Sequence, residues 1–189
     1  ERRHETDVKI SPSAEFPAVE STGDGRIVWE FSLDGPAAKA APLLIDGTVL
    51  FSSTTGWAEA VDLESGDRIG AFPCKWFIHG TGAVADGCFF VATDGLEPLL
   101  LCFDLRAIRT RFERRIPSVQ ASLCAVGDRV ILAARTGEVE CHDGYDTAAV
   151  WRARVDGLIT AAPAASDSVI VIAGQNGDLN ALHTGSGRK

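Results

Sequence analysis

One pattern constrains the fold of this chain more than any other: short turn sequences recur at a spacing of about 40 residues. A first set of turns lies at 46–47, 86–87, 127–128 and 167–168, and a second set at 55–56, 94–95, 136–137 and 176–177. Short runs of apolar, β-branched and aromatic residues separate these turns, as is typical of strands. Helical periodicity is absent over any useful length. The sequence therefore predicts a repeat protein built from β-hairpins.

Each repeat unit reads as a series of short antiparallel strands. We predict units at 40–73, 81–115, 120–154 and 160–183, the last of which lacks a fourth strand, and one extra outer strand at 26–32. Residues 1–25 are charged and show no period, so we interpret them as a linker or mobile tail. The predicted fold class is all-β, a β-propeller with four blades of four antiparallel strands in this span.

A second recurring feature joins an Asp, a turn and a large aromatic residue. Ala60, Asp62 and Gly66 follow the spacing AxDxxxG, and Gly70 stands four residues later. Residues 25–189 resemble the PQQ-like propellers, whose repeats carry a pattern close to AxDxxxGxxxW with a Trp that packs against a neighbouring blade. Here Gly70 stands in the place of that Trp. Trp-Asp dipeptides, which would favour WD-repeat blades, close none of the strands. The residues expected to have this structural docking role are Trp29, Asp62, Phe72, Asp104, Phe112, Asp143 and Trp151.

The resemblance leaves the closure of the ring open, because PQQ-like rings usually have seven or eight blades. We expect this span to be a fragment of a longer propeller, since open terminal edges would expose unpaired backbone groups. Alternatively, two chains form a homodimer that completes one eight-bladed ring, each lending its first strand to the other. Closure of four blades alone, with strand 26–32 completing the last blade, is the third interpretation.

The resemblance also implies which functions to expect. Quinoprotein dehydrogenases of this repeat type hold PQQ under an adjacent pair of cysteines, with a Trp and calcium ligands, and no two cysteines are adjacent here. We therefore expect no cofactor, no metal and no catalytic residue in this span. The expected function is a non-catalytic scaffold for protein partners or other domains of the same chain, similar to propellers appended to adenylate-forming ligases. The alternatives are a portion of a PQQ-dependent dehydrogenase, or an envelope propeller acting in outer-membrane assembly or glycan binding.

Charge and cysteine content narrow the partners. The formal net charge is −8, which disfavours nucleic acid, and no stretch is long and apolar enough to span a bilayer. The only basic cluster, residues 106–115, alternates with apolar residues as the wet face of a strand does. The five cysteines fit no zinc spacing, and four fall in strands, so we expect reduced core thiols and a cytoplasmic location, with a periplasmic or extracellular one as the alternative.

One loop stands out as a candidate partner-binding site: Lys75, Trp76, Phe77 and His79 lie where the other units have short, mild sequences. Exposed aromatic residues often anchor a partner. The alternative for Trp76 is packing between blades in place of the tryptophan missing at Gly70. Elsewhere we expect His142 and His183 to be satisfied structural histidines, and the pair Glu138 and Glu140 to face solvent.

Overall fold

The computed structural model of the protein describes residues 27–33, 35–37, 40–143 and 148–189. Within these residues the chain forms fifteen strands, paired into four separate antiparallel sheets. In chain order they are β1 (Leu43–Ile45), β2 (Thr48–Ser53), β3 (Trp57–Asp62), β4 (Arg68–Pro73), β5 (Ala83–Ala85), β6 (Cys88–Ala92), β7 (Leu99–Asp104), β8 (Arg109–Arg115), β9 (Cys124–Val126), β10 (Arg129–Ala133), β11 (Glu138–Asp143), β12 (Ala149–Arg154), β13 (Ala164–Ala165), β14 (Val169–Ala173) and β15 (Leu179–His183).

Each sheet is one blade whose strands follow one another in sequence order. Blade 1 consists of β1–β4, blade 2 of β5–β8, blade 3 of β9–β12, and blade 4 of the three strands β13–β15. The prediction of an all-β propeller with four-stranded antiparallel blades is confirmed, and the sheets form a partial, unclosed ring. The predicted tail, residues 1–25, lies outside the described residues.

The two-residue turns between the first strands of blades 1 and 2 explain why these hairpins are so tight. Asp46 and Gly47 have φ angles of 46° and 74°, and Asp86 and Gly87 have 49° and 68°. Two successive residues with positive φ match the twist of the flanking strands, and Asp and Gly tolerate that conformation best. The repeated turn sequence therefore fixes the register of β1 on β2 and of β5 on β6.

The core lies between the blades. All five residues of β6 are buried, because blade 2 is covered on both faces by its neighbours, whereas β14 of blade 4 alternates between exposed and buried residues. Three apolar clusters join the blades in turn, and their large members include Leu50 and Phe103 between blades 1 and 2, Phe90 and Leu132 between blades 2 and 3, and Ile131 and Ile172 between blades 3 and 4.

The extra outer strand predicted at 26–32 differs from what the structure has. Residues 27–33 belong to no ladder with any described strand, and residue 26 lies outside the described residues. A segment can join a blade as its outer strand only where the third strand of that blade has a free edge. The described blades have no such free edge beside residues 27–33. Residues 27–33 instead lie against blade 1, where the rings of Phe31 and Phe51 are 5.5 Å apart.

Candidate functional site

The predicted loop follows β4 and lies at one end of the blades. In an antiparallel blade the turn between the second and third strands and the end of the fourth strand lie at the same end, so the loop after β4 neighbours such turns. Cys74 and Ile78 are fully buried and hold the loop in the core between blades 1 and 2. Lys75 between them has a φ of 65°, a conformation that residues other than Gly seldom adopt.

The two large aromatic residues of this loop differ in their exposure to solvent. Trp76 is half-buried and packs on the core between blades 1 and 2, and its ring lies against Gly95, where a Cβ atom would be 2.9 Å from Cε3. Phe77 is 59% exposed. The structure thus places Trp76 in a packing position and leaves Phe77 as the aromatic side chain of this loop that faces solvent.

Blade 2 supplies a second loop to the same place. Between β6 and β7 the chain runs through residues 93–98, and Leu96 at its tip is 89% exposed. A backbone bridge joins the two loops, since the Asp94 N–H donates to the Phe77 carbonyl over 2.7 Å. We name Lys75, Phe77, His79 and Leu96 the Phe77–Leu96 surface. Sequence reasoning missed Leu96, although the six-residue loop is longer than its counterparts at 54–56, 134–137 and 174–178.

Polar contacts fix the frame of this surface. Lys75 Nζ donates to Glu113 Oε2 over 2.7 Å, and His79 Nε2 lies 3.5 Å from Asp94 Oδ2. The Asp94 carboxylate also accepts hydrogen bonds from Ser118 Oγ at 2.9 Å and from Gln120 Nε2 at 3.4 Å. Asp94 therefore ties both loops to the chain that enters blade 3, which holds the exposed apolar residues on a preorganised base.

The opposite end of the blades holds two indole contacts of the same form. Trp151 Nε1 donates to the Thr184 carbonyl over 2.9 Å, and its ring lies against Gly187, which has a φ of 67°. Trp29 Nε1 donates to the Leu63 carbonyl over 2.7 Å, and its ring lies against Gly66, which has a φ of 76°. Each indole thus covers the turn that follows the third strand of blade 4 or of blade 1.

Between blades 1 and 2 the two positions of this contact are exchanged: a glycine stands in the place of the tryptophan, and a large residue stands in the place of the glycine. Gly70 is paired with Ala60 as Trp151 is with Cys141, and Ile108 follows Asp104 by the same four residues that separate Gly66 from Asp62. Ile108 has a φ of 49°, and its Cγ2 would lie 2.9 Å from a Cβ atom on Gly70. A cleft of about 400 Å³ remains at this place, lined in part by Ile69, Ile108 and Leu105.

The remaining residues of the predicted docking set fall into two groups. Asp62 Oδ1 accepts the N–H groups of Glu64 and Ser65 at 3.0 and 2.8 Å, and Asp104 Oδ1 makes the same pair of bonds to the turn after β7. Hydrogen bonds from these turn amides lower the pKa of both carboxyls. Asp143 ends β11, and the turn after it lies outside the described residues.

The two phenylalanines of that set occupy different positions from each other. Phe112 pairs with Cys102 in the ladder, the place that Trp151 has in blade 3, and its ring meets Phe90 edge-on at 6.2 Å. Phe72 pairs with Ala58, two residues beyond that place, and stacks on Phe103 of blade 2 with the ring centroids 4.5 Å apart. Phe72 therefore packs against the neighbouring blade from a ladder position that differs from that of Trp151.

A buried charge cluster lies between blades 2 and 3. Glu140, predicted to face solvent, is buried, and its carboxylate accepts from His142 Nε2 at 2.9 Å and from Arg152 Nε at 2.7 Å. His142 is fully buried, and its Nδ1 lies 3.3 Å from Arg114. Burial opposes ionisation of Glu140, but the bonds from His142 and Arg152 outweigh it and lower the pKa to about 2. The prediction of a satisfied structural histidine is confirmed for His142, whereas His183 at the end of β15 is exposed.

The described residues contain no cluster of three or more His, Cys, Asp or Glu side chains placed to bind a metal ion. Within the same part of the chain there is also no helix of the length and hydropathy needed to cross a membrane. The five cysteines are free thiols, and Cys124 alone among them is only partly buried.

The fold and the turn contacts define a β-propeller of PQQ-like blades. Residues 54–189 match the family model described as outer membrane protein assembly factor BamB, and the chain belongs to this PQQ-like repeat family. A search of curated proteins finds no match.

Solved structures share the fold at low identity. BamB from Moraxella catarrhalis superposes with a TM-score of 0.69 at 21% identity over 79% of this chain, which spans 46% of that BamB chain. The computationally designed Ika4 protein gives 0.67 at 12% identity, covering 84% of this chain and 98% of the designed one. A quinohemoprotein alcohol dehydrogenase, ADHIIG from Pseudomonas putida HK5, gives 0.70 at 14% identity over 82% of this chain and 34% of its own.

Proposed function

We propose that this span is a non-catalytic interaction propeller that binds a protein partner through the Phe77–Leu96 surface. The observation that carries the proposal is the exposure of Phe77 and Leu96, at 59% and 89%, on two loops that Asp94 holds together. Large apolar side chains exposed on adjoining loops mark interaction sites more often than isolated ones do. The flanking Lys75 and His79 give the surface the polar rim typical of protein interfaces.

The family description supports a partner of the same general kind. It names an outer membrane protein assembly factor, so a role in envelope assembly is one form of the proposal. Attachment to a larger enzyme, such as an adenylate-forming ligase, is the other form. The free thiols support a reducing, cytoplasmic setting for this second form. Fractionation of the source cells, followed by thiol labelling, distinguishes the two settings.

Photocrosslinking in cells tests the surface directly. A photoreactive phenylalanine analogue replaces Phe77 or Leu96 in the full-length protein, and a control carries it at Glu64, which is exposed at the opposite end of the blades. We expect one defined partner to crosslink from 77 and 96 and not from 64. Crosslinks of equal yield from all three positions would contradict the proposal.

Affinity for the captured partner then gives the magnitude. We expect Phe77→Ser to weaken binding about tenfold, the effect of losing one apolar anchor at an interface. Leu44→Ser is the matched control, because Leu44 is 63% exposed and lies on β1, away from this surface. Equal affinities of both variants and the wild type would refute the role of Phe77. A change of melting temperature in Phe77→Ser alone would assign it to stability instead.

A second proposal concerns the completion of the ring by a second copy of the chain. Trp29 makes the contact with blade 1 that Trp151 of blade 3 makes with blade 4, so residues 27–33 occupy the place of an outer strand from a preceding blade. Among the described residues, β15 has no fourth strand beside it. Residues 27–33 of one copy would complete blade 4 of the other.

Sedimentation equilibrium tests this association. We expect the 189-residue chain to have twice its own mass, and we expect Val171→Asp, on the exposed face of blade 4, to restore the mass of one chain. Glu97→Lys is the control at an exposed loop of blade 2, away from both blade 4 and residues 27–33. A single-chain mass at all concentrations would refute the dimer and favour a strand supplied by further blades of the same protein.

A further inference from the structure

Two cysteines of blade 2 lie on one face of neighbouring strands. In the ladder between β6 and β7, Cys88 is paired with Asp104 and Cys102 with Phe90, so the two cysteines are diagonal neighbours. Both are buried and belong to the same apolar cluster. The side chains of the two cysteines are also hydrogen-bonded to each other, which places the two sulfur atoms in contact. Blade 2 therefore holds a cross-strand dithiol.

A guanidinium group lies against one of these thiols. The Arg111 Nη1 atom donates a hydrogen bond to Cys88 Sγ over 3.0 Å. The ladder between β7 and β8 shifts register after Cys102, and Arg111 is the extra residue of this bulge. Bulges redirect the side chain of the extra residue, and here the redirected side chain reaches across the blade. The corresponding residues of blades 1 and 3 are Ile69 and Val150, so the charge at this position distinguishes blade 2 from them.

The dithiol borders a cleft that opens to solvent. Cys88 lines a cleft of about 440 Å³ together with residues of the turn before β6 and the turn after β7, namely Asp86, Gly87, Asp104, Arg106, Ala107 and Arg111. A small oxidant such as hydrogen peroxide fits this space easily.

The two thiols have different neighbours. Burial, and next the neighbouring Cys88, raise the pKa of Cys102, so Cys102 remains protonated. The Cys88 sulfur instead accepts a hydrogen bond from the Arg111 guanidinium at 3.0 Å, and a cation beside a cysteine sulfur favours its attack on an oxidant. A sulfur beside a cation, next to a second thiol, is the arrangement that forms a disulfide in two steps, because one sulfur attacks the oxidant and the other resolves the product.

We propose that Cys88 and Cys102 form a peroxide-sensitive dithiol, a redox modification site in which Arg111 activates Cys88. The Cys88 thiolate attacks one oxygen of hydrogen peroxide, the O–O bond breaks, and the departing hydroxide takes up a proton to give water and a sulfenic acid on Cys88. The Cys102 sulfur then attacks the Cys88 sulfur, and its proton leaves with the hydroxyl group as a second water. Two thiols lose two electrons and two protons, and one peroxide is reduced to two waters.

Peroxide oxidation of the full chain tests this proposal, with free thiols alkylated afterwards and the products mapped by mass spectrometry. The repeat supplies conservative variants, because Thr48 and Ala60 occupy in blade 1 the places of Cys88 and Cys102. We therefore compare the wild type with Cys88→Thr, Cys102→Ala and Arg111→Ile. Cys141→Ala is the matched control, since Cys141 has the ladder position of Cys102 in blade 3 but faces Arg129 in place of a second thiol. Circular dichroism checks that each variant is folded.

We expect one reversible intramolecular disulfide, Cys88–Cys102, in the wild type and in Cys141→Ala at equal rates. Cys88→Thr and Cys102→Ala should form none, and Cys102→Ala should accumulate a sulfenic acid on Cys88 that dimedone labels. Arg111→Ile should slow oxidation about tenfold by removing the cation beside the thiolate. Five alkylatable thiols after peroxide treatment of the folded wild type, or a disulfide between other cysteines, would overturn the proposal. An unchanged rate in folded Arg111→Ile would overturn the role of Arg111.

Discussion

The exchange of residues between blades 1 and 2 can be reversed by mutation. Where Trp29 and Trp151 lie against Gly66 and Gly187, blades 1 and 2 have Gly70 against Ile108. We predict that Gly70→Trp and Ile108→Gly, made together, restore the indole contact, although neither does so alone. The two substitutions form a double-mutant cycle whose coupling energy measures the contact.

The single variants are expected to gain nothing. In Gly70→Trp the new Cβ would lie 2.9 Å from Ile108 Cγ2, and such overpacking costs about 1–3 kcal/mol. Ile108→Gly relieves a left-handed conformation worth about 1–2 kcal/mol for a residue with a Cβ. It also removes a side chain that is 40% exposed, so roughly 1–2 kcal/mol of burial is lost and the net change is near zero.

The double variant has space and a hydrogen-bond acceptor for the indole. The cleft of about 400 Å³ lies beside Ile108, and Leu105 follows β7 as Leu63 follows β3, so its carbonyl is the acceptor expected for the indole N–H. Burial of the indole contributes about 2 kcal/mol and its hydrogen bond about 1 kcal/mol. We therefore expect the double variant to be about 3 kcal/mol more stable than the wild type, which for a chain of this length corresponds to roughly 6–12 °C in Tm. The favourable coupling is expected to be larger, about 4–6 kcal/mol, because the overpacking of Gly70→Trp is relieved as well.

Urea unfolding of the four proteins, followed by far-ultraviolet circular dichroism, measures the cycle. The wild type, both single variants and the double variant are compared at one pH and one protein concentration. The prediction requires that the double variant be more stable than Gly70→Trp. Additivity of the two single changes within about 0.5 kcal/mol would refute the reasoning, because substitutions that do not meet each other behave in that way.

Two further predictions concern stability. Gly187→Ala should cost at least about 2 kcal/mol more than Gly177→Ala, since both glycines have positive φ but only the Cβ at Gly187 would meet Trp151, at 2.4 Å; equal costs would refute the contact. Burial raises the pKa of Glu140 and hydrogen bonds lower it, and the net pKa is about 2 against 4.5 for a free carboxyl. The stability that the Glu140 carboxylate contributes is therefore present above pH 4.5 and is lost as the pH falls toward 2. In thermal melts, Glu140→Gln should therefore flatten this acid loss and Glu138→Gln, its half-buried neighbour on β11, should not; equal slopes would refute the assignment.

The repeat made most strand positions predictable, because a turn with positive φ must be built from a few residue types. The Asp-Gly pairs at 46–47 and 86–87 mark hairpins without reference to the rest of the chain. The environment of each strand face was harder to predict. Alternation correctly assigned Glu138 and Glu140 to one face of β11. That face would be exposed to solvent in a terminal blade, but in blade 3 it is covered by blade 2.

Only part of the Phe77–Leu96 surface could be predicted, because the rest depends on contacts between two blades. The composition of the loop after β4 singled out Phe77, but whether Trp76 or Phe77 faces solvent depends on Gly95, which belongs to the next blade. Leu96 comes from that same blade, and contact between loops some twenty residues apart leaves no periodic signal. The dithiol was missed because Cys88 and Cys102 were each explained as strand residues, and only the register shows that they are neighbours.

The two ends of the partial ring carry complementary surfaces. On blade 1, residues 27–33 leave an apolar groove of about 250 Å³ bordered by Phe31, Val49 and Phe51. On blade 4, the outward residues Val171 and Leu179 are 38% and 75% exposed, while Ile131 and Val139 at the same places in blade 3 are buried.

In a repeat, a face that is buried in every inner unit and apolar in the last one retains the composition of an interface. A groove at one end and projecting aliphatic side chains at the other are the two halves of one inter-blade contact. The exposed Val171 and Leu179 therefore predict a neighbouring blade against this face, from a second copy or from the same protein. Because such an association would compete in binding assays, sedimentation should precede any measurement on the Phe77–Leu96 surface.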